Sequence, residues 1–262
     1  MTELEAEIER ALEAMASGFN VQLITTFEPD LVFAPADVNA KDWLANNHPS
    51  FDQFPVRRGE STVGVLVRDE QYDDQTVTDA MLVLRDGIIV STHMPIAELI
   101  PQLRSNHFRL VLRGGRIEGL VTQSDLLKLP VRILLFGLIT HLEMLLRGMI
   151  RKRFNGDTWK DKLRRDALGG VNARHRKLQA KRLDPDILEC LLFSDAVTIL
   201  DGDPHLGPSF SSEMTMLGDF RNDVAHATTF INSPQEIDHF VGCFEGLRSW
   251  ISRVATLCLT PV

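Results

Sequence analysis

Cysteine is scarce in this chain of 262 residues, and tyrosine occurs once. The three cysteines (Cys190, Cys243 and Cys258) are far apart, and their spacing fits neither a disulfide framework nor a metal cluster. We therefore expect reduced core thiols, and no metal site. The first residues lack the basic segment of a secretory signal, and charged residues interrupt the longest apolar stretch, residues 131–150. These absences predict a cytoplasmic protein with no membrane partner.

Several common catalytic signatures are also absent. The chain has no phosphate-binding P-loop, no dinucleotide fingerprint and no nucleophile elbow. Nucleotide hydrolysis by a P-loop enzyme, hydride transfer on a Rossmann domain and esterase chemistry are therefore not indicated.

Acidic residues outnumber basic ones, 36 to 28, but the basic residues are concentrated in one segment. The formal net charge is −8, yet residues 147–182 hold 13 Lys and Arg against 3 Asp and Glu, a local balance of +10. Such asymmetry is typical of a basic face that meets a polyanion. A solvated helical surface explains the same numbers, and charge alone leaves both interpretations open.

The hydrophobic pattern divides the chain into three parts. Residues 1–18 are predicted to hold an amphipathic helix over residues 2–17, residues 19–130 a mixed segment, and residues 131–262 a helical domain. Apolar residues recur at helical spacing in the first part, at Leu4, Ile8, Leu12 and Met15.

The middle part contains a repeated unit of a helix followed by two strands. Helices are predicted at residues 37–47 and 96–106, and each precedes a strand pair around a turn. The pairs are 54–56 with 64–67, and 108–112 with 119–122. Gly64 and Gly119 occupy matching places 55 residues apart, which supports a true duplication.

This doubled unit resembles a tandem CBS module. The best match is Gly119-Leu120-Val121-Thr122-Gln123-Ser124-Asp125, which has the family pattern of glycine, two apolar residues, threonine and, three residues later, aspartate. The resemblance implies a regulatory adenine nucleotide in the cleft between the repeats, with Thr122 on phosphate and Asp125 on ribose hydroxyls. Helix capping by the same two residues is the alternative. The first repeat has Val67 and Glu70 instead, so we expect one site rather than two.

After Pro130 the strand patterns give way to helical ones. Helices are predicted at 131–154, 157–168, 173–182, 185–200, 213–227 and 234–257, with a break at Gly169-Gly170 and a loop at 202–212. The fold class is therefore α+β, a tandem CBS module of βαββ type followed by an all-α bundle of about five helices.

The bundle contains the cluster Arg221-Asn222-Asp223-Val224-Ala225-His226. Asn222 and His226 are four residues apart and share a helix face. His226 can act as general base on a ribose 2′-hydroxyl, and Arg221 can stabilise charge on a phosphorane. Asn222 can orient the histidine or bind the phosphate. This chemistry requires no metal.

The same motif resembles that of HEPN-domain ribonucleases, as does, more weakly, Leu142-Glu143-x-x-Leu146-Arg147 on the first long helix. The resemblance implies a homodimer that pools two motifs and cleaves single-stranded RNA to a 2′,3′-cyclic phosphate, in stress response or defence. The predicted function is thus a nucleotide-sensing endoribonuclease. Alternatives are an inactive sensor or adaptor that recruits RNA or a protein, and an antitoxin-like partner of a nucleotidyltransferase. A chance occurrence of the motif also stays open.

Overall fold

The structure, a computed structural model, describes residues 18–68, 72, 74–183, 185–225 and 234–259, without the side chains of residues 86, 234 and 235. The predicted amphipathic helix over residues 2–17 lies outside the described residues, as do Glu70 and His226. The described chain forms two compact units that divide between Val131 and Arg132. The first is an α/β unit and the second is helical.

The α/β unit is built from short elements. Its strands are β1 (Thr26–Phe27), β2 (Ala34–Pro35), β3 (Gln53–Arg58), β4 (Ser61–Val67), β5 (Leu82–Val83), β6 (Ile89–Ser91), β7 (Phe108–Arg113) and β8 (Arg116–Thr122). Its α-helices are α1 (Ala40–Asn46), α2 (Val77–Ala80) and α3 (Ile96–Gln102). Three 3-10 helices accompany them, at Val21–Leu23, Asp86–Ile88 and Gln123–Leu127.

The strands form two four-stranded sheets, one for each repeat. The first has the order β2-β3-β4-β5 and the second the order β1-β8-β7-β6. In each sheet the central hairpin is antiparallel, and a short strand pairs with it in parallel on one side. Strand β1 pairs antiparallel with β8, so residues near the start of the unit complete the sheet of the second repeat.

The two hairpins are the same structure at an offset of 55 residues. Gln53 pairs with Val67 in the first, and Phe108 pairs with Thr122 in the second. Both ladders contain an irregularity at the matching place, between residues 56 and 57 and between residues 111 and 112. The predicted duplication of the strand pairs is therefore confirmed. The helices are shorter than predicted, since α1 and α3 end at Asn46 and Gln102.

Gly64 and Gly119 are required by close packing at the neighbouring strand. A Cβ atom on Gly64 would lie 2.6 Å from the backbone oxygen of Leu82 in β5. A Cβ atom on Gly119 would lie 2.3 Å from the Thr25 methyl carbon and 2.9 Å from the Phe27 ring. Any side chain at either position would push the flanking strand away from its hairpin.

Two clusters of buried apolar residues lie in the described part of the α/β unit. One lies within the first repeat and includes Phe54, Leu66 and Val77. The other joins the repeats, because Val65 of β4 packs with residues of β7 and β8, namely Phe108, Leu110 and Leu120. Burial of these side chains is the main force that holds the two repeats together.

The helical unit consists of longer elements, with 3-10 helices at Thr158–Lys162 and Ile187–Cys190. Its α-helices in the described residues are α4 (Leu129–Arg153), α5 (Arg165–Gln179), α6 (Phe193–Leu200), α7 (Phe210–Ala225) and α8 (Pro234–Leu259). All the strands found in the described residues precede it, in agreement with the predicted change at Pro130.

The predicted helix break at Gly169-Gly170 is wrong, because both glycines lie inside α5. Two interior glycines cost a helix about 2 kcal/mol relative to alanine. Tertiary contacts offset this cost: the Arg174 guanidinium donates to the Cys190 carbonyl at 2.7 Å and to the Asp195 carboxylate at 3.0 Å. The helix predicted over 157–168 is likewise wrong in its bounds, since it is replaced by a 3-10 turn and the first residues of α5.

Helix α4 is the one helix in the described part of the chain that is long and apolar enough to cross a membrane, and 33% of its most apolar stretch is buried. Core helices of soluble proteins meet the same two criteria. Its buried residues recur at helical spacing and include Val131, Leu134, Leu135, Ile139, Leu142, Leu146, Met149 and Ile150.

Candidate functional site

Thr122 stands where strand β8 ends and a 3-10 turn begins. The Asp125 carboxylate closes this turn, because its Oδ2 accepts from the Thr122 amide at 2.6 Å and from the Thr122 hydroxyl at 3.0 Å. Its other oxygen, Oδ1, lies 2.7 Å from the Lys128 ammonium, which also donates to the Ile24 carbonyl. Asp125 is buried, and both of its oxygens are engaged within the unit. The capping arrangement that the sequence offered as an alternative is thus present.

A cleft of about 170 Å³ opens beside Thr122. Hydroxyl and carboxylate groups share its lining with apolar side chains, and the polar members are Thr26, Asp30, Ser50, Asp52, Gln53, Thr122 and Ser124. The Thr122 and Ser124 hydroxyls lie 2.8 Å apart, so together they offer donors and acceptors at one point of the wall. Asp125 is not among the lining residues. The structure therefore brings Thr122 to the cleft and places Asp125 behind it.

The described residues that line this cleft include no lysine or arginine. Such a wall suits the hydroxyls and the base of a nucleoside better than a cluster of phosphates. A second cleft of about 370 Å³ shares Asp52 and Gln53 with the first and adds Val67, Arg68 and His107. Val67 is the first-repeat counterpart of Thr122, so the second cleft lacks that hydroxyl.

In the helical unit, Arg221 and Asn222 line a groove of about 410 Å³ between α6 and α7. The Arg221 Nε donates to Glu143 Oε1 at 3.2 Å, and one Arg221 terminal nitrogen lies 3.4 Å from the Asn222 side-chain oxygen. The Arg221 side chain is still 42% exposed, so part of its guanidinium fork faces solvent. Two of the three predicted catalytic residues are therefore together at a groove. The third, His226, lies outside the described residues, and its place beside them stays a prediction.

Glu143 of α4 is the residue that positions Arg221. Its second oxygen, Oε2, lies 3.4 Å from Arg147, whose guanidinium also donates to the Leu191 carbonyl. Glu143 is largely buried and is the one carboxylate on α4. The sequence pattern did not predict its pairing with Arg221. A single carboxylate on a predominantly apolar helix was the available signal, because such a residue needs a cationic partner.

Two of the three cysteines, Cys190 and Cys243, are buried and poorly reactive. Burial, with a smaller effect of the Asp223 charge, raises the pKa of the Cys243 thiol to about 11. Burial also raises the pKa of Cys190. Both thiols are therefore protonated at neutral pH, in the form that reacts poorly. Among the described residues, no group of three or more His, Cys, Asp or Glu side chains could hold a metal ion.

Comparison with known proteins identifies one family. Residues 77–132 match the CBS domain family model, so the chain contains a CBS domain, as the sequence predicted. This range covers α2, the second hairpin and the turn that holds Thr122 and Asp125. No curated protein sequence matches the chain.

Several solved structures similar to this chain are CBS domains. That of the bacterial CNNM/CorC family Mg²⁺ transporter in complex with ATP is 22% identical, covers 48% of this chain and 96% of its own, and has a TM-score of 0.38. A CBS domain protein from Streptococcus pneumoniae TIGR4 is 21% identical, with coverages of 50% and 97% and a TM-score of 0.37. A hemolysin-like protein of Oenococcus oeni PSU is 16% identical, with coverages of 45% and 93% and a TM-score of 0.35.

Proposed function

We propose that the α/β unit binds an adenine nucleotide in the cleft beside Thr122, and that this binding regulates RNA cleavage by the helical unit. The CBS match and the hydroxyl cluster of Thr122 and Ser124 support the first part. Because Asp125 holds the Thr122 amide and hydroxyl, it fixes the cleft wall even without touching a ligand. Since Val67 replaces Thr122 in the first repeat, we propose one nucleotide per chain.

Calorimetric titration of the whole protein with adenosine, AMP and ATP tests this binding. Thr122→Val keeps the size of the side chain and makes the second repeat match the first at this position. We expect this variant to bind about tenfold more weakly, since one hydrogen bond to the ligand is lost. Thr62→Val removes a hydroxyl elsewhere in the unit and is the matched control. Absence of binding, or equal binding by Thr122→Val, would refute the assignment.

The arrangement around Arg221 supports the proposal for the helical unit. Its guanidinium is held by Glu143 through Nε, and the side chain is 42% exposed and lines the groove. A fork fixed in this way suits the oxygens of a phosphodiester. Asn222 lies beside it and adds an amide to the same wall.

In the proposed reaction, His226 takes the proton of a ribose 2′-hydroxyl, whose oxygen attacks the adjacent phosphorus. Arg221 stabilises the charge that develops on the phosphorane oxygens. The bond to the 5′-oxygen breaks, and this oxygen takes a proton from a general acid, which we assign to the partner motif of a homodimer. The products are a 2′,3′-cyclic phosphate and a 5′-hydroxyl end.

Cleavage of a labelled single-stranded RNA in EDTA tests this reaction, with and without AMP or ATP. We expect His226→Ala to lose turnover but keep RNA affinity, and Arg221→Gln to lose about a hundredfold or more in rate. A substrate that lacks the 2′-hydroxyl at every position should not be cut. No cleavage by the dimeric wild-type protein under any nucleotide condition would refute the ribonuclease proposal.

A non-enzymatic sensor or adaptor is the second candidate, supported by the engagement of Arg221 in an ion pair. In both cases we propose that α4 transmits the signal, because this helix starts at Leu129, just after the turn of Thr122 and Asp125. Transmission requires the ligand to favour one arrangement of the helix over another.

A further inference from the structure

Five exposed cations follow the outer side and the C-terminal end of helix α5. They are Arg165, Arg176, Lys177, Lys181 and Arg182, and we call this set the α5 basic surface. No ion pair joins any of the five to a carboxylate among the described residues. Their charges therefore face water.

The five other arginines of the same basic segment each lie within 4.0 Å of a carboxylate. Arg147, Arg151, Arg153 and Arg174 pair with Glu143, Asp186, Asp203 and Asp195. The exposed Arg164 pairs with Asp166 at 3.9 Å. The excess charge that the sequence shows over residues 147–182 is thus concentrated on the α5 basic surface, rather than spread over a mixed one.

Small side chains lie between the two arginines at the ends of this surface. Arg165 and Arg176 are eleven residues apart, which is about three helical turns and roughly 16 Å along one side of α5. The exposed residues between them are Asp166, whose carboxylate pairs with Arg164, and the small residues Gly169 and Ala173, and a Cβ on Gly169 would touch nothing within 4 Å. A chain of phosphates can therefore approach the helix closely while the two arginines reach it from either end.

The chemistry of this surface favours a nucleic acid over a protein or a membrane. Protein interfaces rely on aromatic and apolar anchors, and amphipathic helices on membranes need an apolar side. Within α5 no large apolar side chain is exposed, and among the described residues Leu183, which follows Arg182, is the one large apolar side chain exposed beside the five cations. A surface with five cations and one apolar neighbour fits a phosphate backbone, which is bound mainly through charge.

The α5 basic surface belongs to an element that also supports the Arg221 groove. Arg174, on the inner side of α5, pairs with Asp195 of α6 at 3.0 Å. Asp195 in turn accepts from the amide of Leu192 at 3.0 Å, and Leu192 lines the groove. A strand bound along α5 is therefore held by an element that neighbours the groove.

We infer that the α5 basic surface binds the phosphate backbone of the single-stranded RNA whose cleavage we propose at the Arg221 groove. This inference rests on the proposed function for its ligand. It adds a substrate-binding surface that lies outside the motif residues and reads no base sequence.

Salt-dependent binding of the full-length protein tests the inference. The probe is a fluorescent 2′-O-methyl RNA, which a 2′-hydroxyl mechanism cannot cut, so that binding is measured apart from cleavage. The variant is Arg165→Gln with Arg176→Gln and Lys177→Gln, since glutamine retains helix propensity. The control is Arg85→Gln with Arg116→Gln and Arg248→Gln, which removes the same charge from exposed positions elsewhere.

We expect the slope of log affinity against log salt to decrease by about 2 in the α5 variant, at about 0.7 for each lost phosphate contact to a single strand. The control should keep the wild-type slope. An unchanged slope in the α5 variant, or an equal decrease in the control, would overturn the inference. Arg176→Gln alone, with an expected decrease of about 0.7, serves if the triple variant melts early.

Two further outcomes separate the proposals. RNA binding that depends on α5, without cleavage of ordinary RNA, would remove the ribonuclease and keep the surface. If ordinary RNA is cleaved but the α5 variant keeps the wild-type salt slope of RNA affinity, the ribonuclease proposal would stand and the α5 surface would be removed. Binding of polyglutamate or of anionic vesicles that competes with RNA and exceeds it in affinity would overturn the assignment to nucleic acid.

Discussion

The two repeats of the α/β unit have the same backbone structure but differ in the side chains that line their clefts. The Arg68 amide donates to the Asp52 carbonyl at 2.7 Å, and 55 residues later the Gln123 amide donates to the His107 carbonyl at 3.1 Å. Their side chains also correspond, since Arg68 reaches the His48 carbonyl at 3.0 Å and Gln123 reaches the Leu103 carbonyl at 2.7 Å. At the preceding position the repeats diverge, with Val67 in one and Thr122 in the other.

Positions that close the sheet or join helix to strand keep equivalent roles in both copies, even when Arg replaces Gln. At the strand end the copies differ, although Val and Thr have the same shape and both fit a strand. In the second copy the Thr122 hydroxyl donates to Asp125 and contacts the Ser124 hydroxyl, so it closes the turn and also lines the cleft. The comparison therefore shows that one backbone structure accepts different side chains at the cleft.

The largest loss of folding stability should come from replacing the matching glycines, Gly64 and Gly119. Gly64→Ala places a methyl group against a backbone oxygen that cannot move without breaking the β4–β5 ladder, and we expect a loss of about 3 kcal/mol. Gly119→Ala meets side chains instead, so the loss should be nearer to about 2 kcal/mol. Urea denaturation measures both. Equal, negligible losses would show that the two flanking strands are not held at their present distance.

Arg68→Met and Gln123→Met compare the corresponding polar side chains. Arg68 donates to four carbonyls, those of Leu44, Asn47, His48 and Phe51, and its loss should cost about 2 kcal/mol. Gln123 donates to one carbonyl, so its replacement should cost about 1 kcal/mol. Denaturation curves of the two variants give the values. A larger loss for Gln123→Met would mean that the hydrogen bonds of Arg68 contribute little.

The hairpins and the change to helices after Pro130 could be predicted, because hydrophobic periodicity is a local property. Strand β1 could not, since two residues carry no period and their partner β8 lies far along the chain. The continuity of α5 through Gly169-Gly170 was missed for a similar reason. Glycine propensity is local, whereas the anchoring of Arg174 by Cys190 and Asp195 is tertiary.

The candidate sites were predictable in part for the same reason. Thr122, Arg221 and Asn222 belong to short motifs, and the structure places them at a cleft and a groove. The ion pair of Glu143 with Arg221 joins residues that are 78 positions apart, so no local sequence pattern predicts it. The burial that makes the pair necessary becomes visible only once α4 is packed.

The smallest loss of stability should come from a side-chain hydrogen bond that joins matching positions of the two repeats. The Thr62 hydroxyl donates to the Ile117 carbonyl at 3.1 Å, and Ile117 is the counterpart of Thr62 at the 55-residue offset. Thr62→Ile makes the copies alike here, and we expect a loss of at most about 1 kcal/mol, since the bond is only partly buried. The swap Thr62→Ile with Ile117→Thr should restore most of it, because pseudo-symmetry directs the new hydroxyl at residue 62. Thermal melts of the single variant and of the double swap measure the two stabilities. A double swap no more stable than Thr62→Ile alone would show that the repeats match in backbone pairing but not at their shared surface.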